Sequence, residues 1–186
     1  MGKTSSPRQT LLKLAILLVL LFAIGESIRA QAKLESVYSD LSESKCRTIE
    51  VDKETGSSTQ SCKGIAGYKL LVLDDDSRQS ITVIAPGGKK YPLDFWEVVT
   101  QAFSSVGNKA EWRATRRKGR LSPVALIVRV NASEDGANPS HLTSYLAVVK
   151  VTPEEICVTH KIPPGAKANE NARHAADTAQ TEACLK

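Results

Sequence analysis

Five cations crowd into eight residues of this chain: Arg113, Arg116, Arg117, Lys118 and Arg120, with no acidic residue among them. That density suits an anionic partner, such as an acidic protein surface, lipid headgroups or a cell-envelope polymer. Nucleic acid is not expected, because single-strand binders interleave cations with exposed stacking aromatics and Trp112 alternates inward. A second constellation, Glu111, Arg113 and Arg129, offers either a polar floor gripping an anionic group or a cross-strand ion pair that holds register. The ion pair is the simpler expectation.

Other chemistry finds little support. His141, His160 and His174 fall in a loop, a strand and a helix, with no spacing that brings two of them to a carboxylate. There is no G-x-S-x-G elbow, S-x-x-K signature or phosphate-binding loop. Asp74, Asp75 and Asp76 stand in a row but lack the spacing of a calcium loop, and they read as turn residues. The cysteines form no C-x-x-C pair, so no metal is expected, and no cofactor is implied.

These residues need a scaffold, and the stretch 109–131 supplies its nucleus. Val124–Val130 is apolar on both faces except at Arg129, as in a strand covered on both sides. Ala110, Trp112 and Ala114 alternate with Glu111, Arg113 and Thr115. Between them Arg116–Arg120 makes a charged reversal with Gly119 available for positive φ. A β-hairpin follows, its Trp facing the core and its basic tip in water. Pairing Trp112 with Val128 would set Glu111, Arg113 and Arg129 on one face.

The N-terminus reads as a secretory signal. Lys3, Arg8 and Lys13 precede the apolar run Leu14–Gly25, and Ala30-Gln31-Ala32 is an A-x-A site, so cleavage is expected after Ala32. Arg29 so near the cut leaves a retained anchor as the alternative. No cysteine occupies the cut, which argues against a lipoprotein. Met1–Ser6 also fits a myristoylation pattern, but the apolar run behind it fits export better. The first 32 residues hold four Lys/Arg and one Glu of the chain's 25 basic and 20 acidic residues, so residues 33–186 carry a formal charge of +2. Those 154 residues suit one domain.

Export and an even cysteine count predict two disulfides. Four cysteines allow three pairings; Cys46–Cys62 and Cys157–Cys184 are preferred because each closes a local excursion. Leu34–Leu41 reads as a short helix or irregular arm. Strands are expected over 46–51, 59–63, 68–73, 79–85, 143–151 and 156–162, with 89–94 as a possible edge. Gly64 and Gly67 read as easing a bulge or bend rather than clamping a backbone. Asp94 and Glu97 have capping-box spacing ahead of a short helix to Phe103. Alanines at 168, 172, 175, 176, 179 and 183 predict a C-terminal helix with a small-residue stripe. The fold class is therefore α+β: a mainly antiparallel, curled sheet of six to eight strands with that helix packed on it.

The expected function is a non-catalytic binding or accessory protein, periplasmic or secreted, engaging an anionic or protein partner through the tip at 113–120. Inhibition of an envelope enzyme falls within that reading. The alternative is a small hydrolase assembled only in the fold, using Glu111, His160 and the Asp74–Asp76 carboxylates. Asn131-Ala-Ser133 would be a glycosylation sequon only in a eukaryotic secretory pathway.

Overall fold

The structure, a computed structural model, describes residues 33–186; the expected signal segment lies outside them. Ten strands follow in chain order: β1 (Leu34–Asp40), β2 (Arg47–Val51), β3 (Ser58–Lys63), β4 (Lys69–Asp75), β5 (Arg78–Ile84), β6 (Lys90–Pro92), β7 (Ser104–Arg117), β8 (Arg120–Ala132), β9 (Thr143–Val151) and β10 (Ile156–Ile162). A one-turn helix, α1 (Phe95–Val98), precedes β7, and α2 (Ala168–Thr178) closes the chain with a 3-10 turn, Ala179–Thr181.

The main path through the sheet runs β10-β9-β8-β7-β5-β4-β3-β2, with β1 added beside β7 and β6 beside β5. All neighbours are antiparallel except at Arg78–Ser104, where β5 meets β7 in parallel. That narrow seam divides the sheet into two halves, which fold toward each other. One apolar cluster draws on both: Leu70, Val72, Ile81 and Val83 from one half, and Trp112, Leu126, Val128 and Val149 from the other. Alternation explains the result, since every second residue of these strands is apolar and faces that interior.

β8 is buried on both sides, as its sequence requires. Leu126, Val128 and Val130 face the shared interior. Ala125 and Ile127 face outward, where Ala168, Ala172, Ala176 and Ala179 lie against them and against Leu146 and Val148 of β9. Small side chains let α2 approach the sheet closely. Ala183 is exposed and outside this stripe.

Both expected disulfides are present, Cys46–Cys62 and Cys157–Cys184. The second holds the chain end against β10, where Leu185 also donates a backbone hydrogen bond to Val158. Among the described residues no helix is long and apolar enough to cross a membrane.

Three expectations need correction. The sheet has ten strands, more than six to eight. The 34–41 segment is a strand, β1, rather than a helix or arm; its inward positions are Glu35, Val37 and Ser39, so no apolar alternation marks it. The helix after Asp94 is one turn long, Asp94 sits at φ 44° and its side chain makes no cap bond. Phe95 and Val99 are buried there, whereas Phe103 lies half exposed under the Arg78 guanidinium.

Candidate anion-binding surface

The hairpin tip is a two-residue turn. Lys118 and Gly119 both have positive φ, 49° and 77°, which lets the turn follow the twist of the strands it joins. Arg117 and Arg120 then stand directly opposite each other. Arg117, Lys118 and Arg120 are exposed and make no ion pair among the described residues. Like charges facing across a ladder repel.

Arg116 is part of this surface but is engaged: its guanidinium lies 2.7 Å from the Glu35 carboxylate on β1 and donates to the Gly119 carbonyl. Arg113 is elsewhere. Only 11% of its side chain is exposed. Its Nε and Nη2 donate to the Asp177 carboxylate at 2.6 and 3.0 Å, and its Nη1 to Ser36 Oγ at 2.6 Å. Of the five cations grouped by sequence, the fold thus brings four together and sends Arg113 beneath α2.

Arg113 belongs instead to a polar seam between the hairpin and α2. Glu111 accepts from Arg173 Nε at 2.7 Å, Arg173 Nη2 at 3.1 Å and Ser36 Oγ. Burial pushes the Glu111 carboxyl up, but those hydrogen bonds and the charges of Arg173 and Arg113 outweigh it, leaving it below the usual range. The same bond to Glu111 raises Arg173 further. Arg129 donates to Ser144 Oγ at 2.7 Å and Asn169 Oδ1 at 3.2 Å. A cavity of about 220 Å³ remains, bordered by Glu111, Arg129 and Arg173.

Glu111, Arg113 and Arg129 do share a face, although the register is Trp112 with Leu126 rather than Val128. The shift is two residues, and an even shift preserves facing. It is set from the tip: Arg117 lies opposite Arg120 across the two-residue turn, and the one irregularity on the way to Trp112 falls between Arg113 and Ala114. The expected cross-strand pair is replaced by partners on α2. Arg173 and Asp177 lie on the edge of α2 beside its alanine stripe, and apolar periodicity marks only the buried side of a helix. The available signal was a cation and an anion four residues apart, beside that stripe.

The suspects for hydrolysis lie apart. Glu111 is under α2. Asp74–Asp76 sit at the β4–β5 turn, where Asp74 accepts from Gln79 and Asp76 pairs with Arg78. Asp76 and Ser77 occupy that turn with positive φ, so it is built as a reversal. His160, on β10, meets the neighbouring Thr159 hydroxyl at 3.1 Å. Glu155, Cys157 and Cys184 are grouped as metal ligands would be, but both sulfurs are in a disulfide. Asn131 lies within β8, half-buried, accepting from Ser144 Oγ, and is no loop acceptor for a glycan.

Comparison of the chain with protein-family models, curated proteins and solved structures finds no match.

Proposed function

We propose that this protein is an exported binding module that engages an anionic partner through its basic hairpin tip, without catalysing a reaction on it. One observation carries the reading: Arg117 and Arg120 face each other across the ladder, with Lys118 between them, and none of the three makes an ion pair among the described residues. Such a cluster stores repulsion that an outside anion relieves. Lys118 adds to the argument. A lysine at φ 49° is less comfortable than glycine or asparagine, so the turn carries a cation at a position its backbone does not favour. Export is supported by the two disulfides, which persist in oxidising compartments.

Retention of residues 33–186 on immobilised dextran sulfate, with neutral dextran as control, tests the reading. Binding should weaken as salt rises, and the R117E/K118E/R120E variant should lose it at low salt. Unchanged retention of that variant removes the tip from the function.

A further inference from the structure

We propose that the protein holds a linear acidic polysaccharide, one segment on the hairpin tip and the next in a groove walled by Lys45, Arg47, Lys63 and Lys69. The proposal rests on the tip reading above and adds a second contact to it.

The groove opens at the end of the sheet where β3 turns into β4. Lys63 and Lys69 stand directly opposite each other there, with Cβ atoms about 5 Å apart for such a pair. The same row continues through Ile84 to Lys90 on β6. No acidic residue lines this groove of about 540 Å³. None of its four cations makes an ion pair among the described residues. Asp40 lies near enough to Lys45 to feel its charge, but its carboxylate is occupied by the Ser42 amide and hydroxyl. The Cys46–Cys62 bridge lines the groove and ties β2 to β3, so the walls are set before any ligand arrives.

Two opposed like-charge pairs, Lys63–Lys69 and Arg117–Arg120, therefore occur in one small molecule, and they occur at the same end. The loop between Gly64 and Tyr68 connects them. Ala66 and Tyr68 border the groove and also the depression that starts at Leu121, the residue after Arg120. Gly64 is needed for this tight loop, since a Cβ there would lie 2.6 Å from the Tyr68 carbonyl oxygen.

A single small anion would satisfy one pair and leave the other. A bilayer is flat and would meet the protruding tip but not the concave groove. Nucleic acid binding of this kind relies on aromatic stacking, and the Tyr68 ring is packed 5.6 Å from the buried Trp112 ring. A chain of sugars with repeated sulfate or carboxylate groups meets both pairs, and Ser44 and Ser61 offer hydroxyl partners in the groove.

The test uses heparin-derived tetrasaccharide and dodecasaccharide, titrated by calorimetry into residues 33–186. The wild type should prefer the longer chain by about tenfold or more, because the second contact becomes intramolecular. K63S/K69S should keep tetrasaccharide affinity at the tip and lose the preference for length. Its melting temperature should not fall, since the substitution removes a repulsion. R117E/K118E/R120E should weaken both ligands. If K63S/K69S retains the wild-type length preference, the groove inference is overturned while the tip reading stands. If the wild type binds neither length, both are overturned. Equal or tighter binding of a dT12 oligonucleotide, equally sensitive to K63S/K69S, would overturn the polysaccharide assignment.

Discussion

Trp112 is fully buried, and its indole Nε1 donates to Ser39 Oγ at 2.9 Å across the β1–β7 pair. A Trp-to-Ala change opens a cavity beneath Tyr68 and leaves a buried hydroxyl short of a partner. W112A should destabilise the domain by about 3–5 kcal/mol, read as a shift in the urea midpoint at constant slope. Glu111 gives a sharper test because its effect depends on pH. Its folded-state value lies below the ordinary carboxylate range, so its contribution is full above that range. The contribution is lost as pH falls through the depressed value. E111Q should cost about 1–2 kcal/mol near neutrality, limited by the partly exposed Arg173. The difference between variant and wild type should shrink in acid, seen in paired urea titrations at neutral and low pH. The inward setting of Trp112 was legible from alternation alone. Its partner Ser39 was not, lying 73 residues away on a strand with little apolar signal.

At the scale of elements, α2 is held by three separate means: the alanine stripe, the Arg113–Asp177 and Glu111–Arg173 pairs, and the disulfide beyond its end. Loop closure over the 27-residue separation of Cys157 and Cys184 suggests that C157A/C184A loses roughly 3 kcal/mol. Helical signal should survive at room temperature and melt earlier, as followed by circular dichroism. The tip turn makes an opposite prediction. K118N places a residue suited to positive φ where lysine now sits, so thermal stability should rise slightly while retention on dextran sulfate falls. A variant that gained stability and kept full retention would show that Lys118 takes no part in binding. The periodic segments of β7, β8 and α2 could be recognised in sequence because their packing follows a repeat. The Asp94–Glu97 pair had the spacing of a cap, yet tertiary packing of Phe95 and Val99 on the sheet stopped the helix after one turn.

Across the described residues, basic side chains gather at one end, where the nearby acids Glu35 and Glu155 are paired with Arg116 and Lys150. The loops at one end carry Lys63, Lys69, Lys89 and Lys90 together with Arg117, Lys118 and Arg120. Strand direction places Asp52 and Glu54, the Asp74–Asp76 turn, and Glu134 and Asp135 at the other. Hydrogen bonds from Ser104 to Ser77 and from Ser133 to Phe103 tie those acidic loops together. A modest formal charge for residues 33–186 thus coexists with a cluster of basic residues at one end, toward which an approaching polyanion would be turned. Association rates should therefore fall steeply with ionic strength while dissociation changes less, a split that stopped-flow measurement resolves. Equal salt sensitivity in both rates would argue against orientation by this field.

Sequence alone determined the hairpin, the doubly covered β8 and the alanine-striped helix, and it favoured, without fixing, the cysteine pairing that the structure shows. Each is written in a short-range repeat or in the closing of a local loop. The tertiary structure decided that Arg113 leaves the tip for Asp177, that Glu111 is answered from α2, and that Lys63 and Lys69 come to face each other beside the same end as Arg117 and Arg120. Those outcomes depend on strand register and on contacts between distant segments. No local pattern encodes them, because the energy that selects them exists only once the two halves of the sheet have closed on a common core.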